Sequence, residues 1–158
     1  MKNILTLLNL LLVFNGVTVF TLHENGVNIV LYEDINMTEP RVTIHPYKSE
    51  NNAGVILKLI DQLDNCLRIS IGEEEHLYCK KGSLAVNTRN PDNGILILYE
   101  HPDRTSKITA TTTIQQTVRI YGIDDEWLYV QAINDLSEYI YGWIPPEMQC
   151  PTPWTSCP

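Results

Sequence analysis

The side chains best suited by type for chemistry are four cysteines, Cys66, Cys79, Cys150 and Cys157. A thiolate can attack a carbonyl when a base stands beside it, ligate a metal, or oxidise to a disulfide. Cys66 with His76 is the one crude nucleophile–base pair, and its strand-and-turn setting suits a disulfide better than catalysis. Spacing argues against zinc, because no two cysteines stand two or three residues apart and His76 has no second histidine at ligand distance. In an oxidising compartment four cysteines imply disulfides, in any of three pairings. Cys150–Cys157, which closes a proline-containing tail, and Cys66–Cys79 are the favoured pairs. The run Glu73-Glu74-Glu75 beside Gly72 reads as a solvated hairpin tip whose carboxylates would make poor general acids. No glycine-rich phosphate loop occurs either. The expectation is a non-enzymatic protein without cofactor or metal.

Binding is the remaining chemistry, and the second half of the chain carries the aromatic side chains for it. Tyr99, Trp127, Tyr141 and Trp143, with Pro145 and Pro146, are the residues expected to line a shallow groove for an extended ligand. Each could instead fill a core. Charge narrows the partner: 19 Asp and Glu against 11 Lys and Arg leave a formal net charge of −8. With no Lys/Arg cluster, such a chain repels phosphate backbones and anionic lipid surfaces, which excludes nucleic acid.

Short strands must position these residues. Leu57, Leu59, Leu67 and Ile69 alternate with polar Lys58 and Arg68, and Val118, Ile120, Leu128 and Val130 alternate in the same way. That is the period of half-buried strands. Asp64-Asn65 and Asp124-Asp125-Glu126 supply turns between them. The chain also repeats. Ile29-Val30-Leu31-Tyr32-Glu33-Asp34 matches Leu96-Ile97-Leu98-Tyr99-Glu100-His101, and Arg41-Val42-Thr43 matches Lys107-Ile108-Thr109. Leu57 to Ile60 matches Val118 to Tyr121, and Asp64 to Ile69 matches Asp125 to Val130. Leu77-Tyr78-Cys79-Lys80 falls where Ile140-Tyr141-Gly142-Trp143 falls. Five ordered matches imply a duplicated small domain. The boundary is expected within Arg89 to Gly94, a dense set of turn formers.

Ahead of the repeats, Lys2, the apolar run Ile4 to Val13, and the small residues Gly16 and Thr18 have the layout of a secretory signal peptide. The run is shorter than the ~20 residues a membrane span needs, so no span is expected after cleavage. The expected division is 1–20 signal peptide, 21–92 first copy and 93–158 second copy. Export to a periplasm or the extracellular space follows from it.

The second copy resembles the bacterial SH3-like domain family. Three motifs carry the resemblance, in order: Leu96-Ile97-Leu98-Tyr99 leading to His101-Pro102-Asp103; Asp125-Glu126-Trp127-Leu128-Tyr129-Val130; and Gly142-Trp143-Ile144 before Pro145-Pro146. The resemblance implies an all-β protein of two tandem small SH3-like barrels, the first degenerate, with Cys66 in the place of the strand Trp. It also implies that Cys66–Cys79 would staple what aromatic packing holds in the second copy. The partner implied is cell-wall peptide or glycan, or an envelope protein. A blocking inhibitor of a secreted enzyme and a structural spacer are the other two roles compatible with the sequence.

Overall fold

The computed structural model describes residues 16–46, 54–71, 75–91 and 93–152. Thirteen strands lie among the described residues. The first seven are β1 (Val17–Thr21), β2 (Ile29–Tyr32), β3 (Pro40–Ile44), β4 (Ile56–Gln62), β5 (Cys66–Ile71), β6 (Glu75–Lys80) and β7 (Leu84–Thr88). They are followed by β8 (Leu96–Tyr99), β9 (Ile108–Thr112), β10 (Thr117–Asp124), β11 (Trp127–Ile133), β12 (Tyr139–Ile144) and β13 (Gln149–Cys150). The described helical structure is two one-turn 3-10 helices, Glu24–Gly26 and Pro146–Met148. The protein is all-β, with every described strand pair antiparallel. Alternation explains the strands. Leu57 and Leu59, Leu67 and Ile69, Val118 and Ile120, and Leu128 and Val130 point inward and are buried.

The strands form one hydrogen-bonded path, β3-β2-β6-β5-β4-β1-β7-β10-β11-β12-β8-β9, with β13 joined to β7. Among the described residues the path is open, ending at β3 and β9. Its two halves repeat. β2–β3 and β8–β9 each carry an irregularity at the same place, before Tyr32 and before Tyr99. β4–β5 and β10–β11 share one at Ile60 and Tyr121. Two buried threonines mark the same corner in each half. The Thr21 hydroxyl accepts the Val55 N–H at 2.8 Å, and the Thr88 hydroxyl accepts the Gln116 N–H at 2.9 Å. Their own N–H groups bond back to the carbonyls of Val55 and Gln116.

Two matches differ from the sequence alignment. Val42 lies opposite Leu31 as Ala110 lies opposite Leu98, so Ala110, not Ile108, is the counterpart of Val42. Tyr78 pairs with Tyr32 and Arg68 as Trp143 pairs with Tyr99 and Tyr129. Tyr78 is therefore the counterpart of Trp143, and Cys79 takes the place of core residue Ile144 rather than of Gly142. Val17 to Phe20, placed by the sequence in the expected leader 1–20, form β1, paired along its length with β4 and buried at Val19 and Phe20.

β7 belongs to both halves. It lies beside β1 as β13 lies beside β7, and it also supports β10 from Leu84 to Asn87. Leu84 and Val86 are fully buried in one core cluster that also takes in Leu31, Leu59 and Ile69 from the first half and Leu98, Leu128 and Ile144 from the second. The turn-rich stretch 89–94 connects β7 to β8, so the strand before it is part of the second half's sheet.

Candidate functional site

β11 sends Leu128, Val130 and Ala132 into the core, which leaves Trp127, Tyr129 and Gln131 on the opposite face. The register then builds a cross-strand row of rings on that face. Tyr129 lies opposite Trp143 on β12, and Trp143 opposite Tyr99 on β8. The Tyr129 and Trp143 rings are 5.4 Å apart and tilted by 56°, while Tyr99 meets Trp127 edge to face at 5.6 Å. Both spacings lie in the attractive range for aromatic pairs. Trp127, Tyr129 and Trp143 are half-buried, and Tyr99 is 9% exposed. The row therefore presents ring surface to solvent while being held by its own neighbours.

Of the residues predicted for a groove, Tyr99, Trp127 and Trp143 come together. Tyr141 stands in a second cluster beside them, 44% exposed, its ring 6.2 Å from that of Tyr121 and its hydroxyl accepting from the Gln131 amide. Pro145 is buried and its carbonyl accepts the Met148 N–H, whereas Pro146 is exposed in the 3-10 turn. Sequence reasoning missed Tyr129 and Tyr121. Counting by twos from Trp127 finds Tyr129. Tyr121 sits at the β10 irregularity, where that count breaks. Gly142 does not admit a ring. A Cβ there would lie 2.8 Å from the Leu98 Cβ and from the Thr109 Oγ1, so the missing side chain lets β8 approach.

The loop after β8 leans toward the same end of the face. Arg104 and Glu147 form an ion pair at 2.5 Å between that loop and the 3-10 turn, with side chains 62% and 37% exposed. Exposed pairs of this kind add ~0–1 kcal/mol. The Asp103 carboxylate accepts the Thr105 N–H and hydroxyl, and the backbone bond first of all holds its pKa below 3.8. Asp34 plays that part in the first half. The N–H groups of Glu39 and Thr38 and the Thr38 hydroxyl bond to it, and they lower its pKa, the Glu39 bond most, against the opposing effect of burial.

The first half has a different face. Tyr32 and Tyr78 remain, but Arg68 stands where Tyr129 stands and Cys66 where Trp127 stands. Arg68 pairs with Asp61 at 3.1 Å. The expected Cys66–Cys79 disulfide is absent, both thiols being free and buried. Cys66 lies opposite Lys80 and Cys79 opposite Leu67, so the two side chains leave neighbouring strands toward opposite faces. Burial raises both thiol pKa values, Cys79 to about 12, with proximity to Cys66 adding to the rise. Cys66 also stands apart from His76, which pairs with Ser70 four residues further along β5, roughly 13 Å at the rise of a strand. Cys150 is disulfide-bonded; Cys157, like Glu73 and Glu74, lies outside the described residues. No group of three or more His, Cys, Asp and Glu side chains that could hold a metal occurs among the described residues. No helix among them is long and apolar enough to cross a membrane.

No protein-family model matches the sequence, and no curated protein matches it. Among solved structures, the fold is similar to NlpC1 from Trichomonas vaginalis, with 13% identity and a TM-score of 0.36 over 85% of this chain. NlpC2 from the same organism gives 13% identity and a TM-score of 0.34 over 85% of this chain. The chain spans 45% and 47% of those two proteins, less than half of each.

Proposed function

We propose that this chain is an exported, non-enzymatic binding module made of two SH3-like barrels that share β7. The second barrel holds an extended ligand, either cell-wall peptide or an envelope protein, across the row Tyr99, Trp143, Tyr129 and Trp127. The observation that carries the reading is this row: rings in cross-strand register, in edge-to-face and tilted contact with one another, with Trp127, Tyr129 and Trp143 half-buried. Rings fixed by their neighbours lose little conformational entropy when a ligand covers them, so their area converts efficiently into affinity. The repeated strand path, with irregularities at matching positions, supports the two-barrel description. The signal-like composition of Lys2 and the run Ile4 to Val13, ahead of β1, is what supports export.

Sedimentation with insoluble peptidoglycan, and capture from an envelope extract, test the proposal. The wild-type chain is expected to bind one of the two, and Trp127→Ala and Trp143→Ala to weaken it at least about tenfold, the loss typical of an aromatic anchor. Far-ultraviolet spectra of both variants should remain those of the folded protein. A wild-type chain that binds neither material, or folded variants that bind as well as it does, would overturn the reading.

A further inference from the structure

The outward face of β11 and β12 carries apolar surface well beyond the aromatic row. Past Tyr129 and Trp143 the register continues through Gln131 opposite Tyr141 to Ile133 opposite Tyr139. Tyr139 is 67% exposed, and Leu136, in the turn joining the two strands, is 78% exposed. Tyr139 is four residues from Trp143 along β12, roughly 13 Å at the rise of a strand. The fold does not require these rings. In the first half, where the same strand path forms, Cys66, Arg68, Ser70 and His76 hold the positions of Trp127, Tyr129, Gln131 and Tyr141. The aromatic set therefore answers to something outside the chain. Tyrosine and tryptophan are enriched at protein interfaces, where they offer wide, rigid surface with a polar tip.

Charge at both ends of the face narrows what covers it. Asp124, Asp125 and Glu126 stand exposed at the Trp127 end, and Asp135 and Glu138 stand exposed at the Tyr139 end. None of these carboxylates pairs with a Lys or Arg among the described residues. Arg104 is taken up by Glu147, and Arg119 by Glu24. A second copy of the chain, laid along the face in either direction, would bring one acidic end against another, and such like-charge contact costs affinity. A single extended segment lying across the strands on Tyr99, Trp143, Tyr129 and Trp127 would cover one end and leave Ile133, Leu136 and Tyr139 bare.

We infer that the whole outward face of β11 and β12 is the docking surface for a folded partner protein, apolar at its centre and ringed by Lys and Arg. The rings and Ile133 meet the partner's centre, Leu136 and Tyr139 anchor the end farthest from Trp127, and the two acidic turns meet its basic rim. The inference rests on the chain being a binding module, and it selects a protein over wall peptide as what that module holds.

The test is photocrosslinking of the full chain, with p-benzoylphenylalanine placed at Tyr139 in one form and at Trp143 in another. Each form is irradiated in an envelope extract and, separately, with insoluble peptidoglycan. Both positions are expected to attach to the same protein. Glu126→Lys and Glu138→Lys, both at exposed turn positions, should each lower the yield at least about threefold by facing the basic rim with a like charge. Asp64→Lys, in a turn of the first half, should leave the yield unchanged, and added salt should lower it for the wild-type surface. Leu136→Ser should weaken attachment even from the Trp143 position. Attachment from Trp143 alone, attachment to peptidoglycan in place of protein, a crosslink between two copies of the chain, a yield indifferent to the charge reversals, or no attachment from either position would each overturn the inference. Attachment to peptidoglycan would leave the binding-module reading standing, so the two fail separately.

Discussion

Cys79 shows how one buried atom ties this fold to pH. Its thiol, surrounded by core side chains, keeps its proton to about pH 12, whereas an unfolded chain releases it near 9.0. Below pH 9.0 both states hold the proton and native stability is undiminished. Above it only the unfolded state deprotonates, so stability falls as pH rises from 9.0 toward 12. The loss is about 1.4 kcal/mol per pH unit in that window. Cys79→Val is expected to lose less stability across the same interval than the wild-type chain, as measured by urea midpoints on either side of pH 9.0. Neither buried thiol should react with a water-soluble disulfide reagent until the chain unfolds. The sequence identified the four cysteines as important but mispaired two of them. Pairing depends on which face each Cβ takes, and a two-residue difference in alignment changes the apparent neighbour.

At the scale of the elements, close approach of β8 to β12 depends on Gly142. Gly142→Ala brings a Cβ to 2.8 Å from Leu98 and Thr109 and 3.0 Å from the Tyr99 carbonyl. The expected cost is about 1–3 kcal/mol, the usual penalty of overpacking. Denaturant unfolding measures it, and a shifted tryptophan emission should show Trp143 moving with its strand. Most strands were legible in the sequence. β4, β5, β10 and β11 alternate over most of their length, broken at Ile60 and Tyr121, and their Asp- and Asn-rich turns lie where hairpins form. β1 was not legible, because its valines and phenylalanine continue the apolar run Ile4 to Val13 that precedes them. The row of rings was half legible. Trp127, Trp143 and Tyr99 stand out by type, but their meeting depends on β8 pairing with β12, a long-range register that no local periodic count contains.

For the whole molecule, the division at 92/93 meets a strand that serves both sides of it. Residues 93–158 alone lack β7, and with it the pairing of Leu84 to Asn87 against β10 and two fully buried core side chains, Leu84 and Val86. That fragment is expected to stay unfolded, while one beginning at Gly82 should give the dispersed amide spectrum of a folded β protein. Turn-forming residues between 89 and 94 made the division look natural. They mark a real connection, yet the partner that completes a sheet can lie on the far side of such a connection, and local composition carries no sign of it.

The position of β7 has a further consequence in time. Its backbone is flanked by β1, β10 and β13, three strands drawn from the beginning, middle and end of the described chain. Fraying at any one of these neighbours leaves the others in place. The amide protons of Leu84 to Asn87 should therefore be the last to exchange with deuterium, released only when the whole chain opens. Their rate serves as a built-in gauge of global stability.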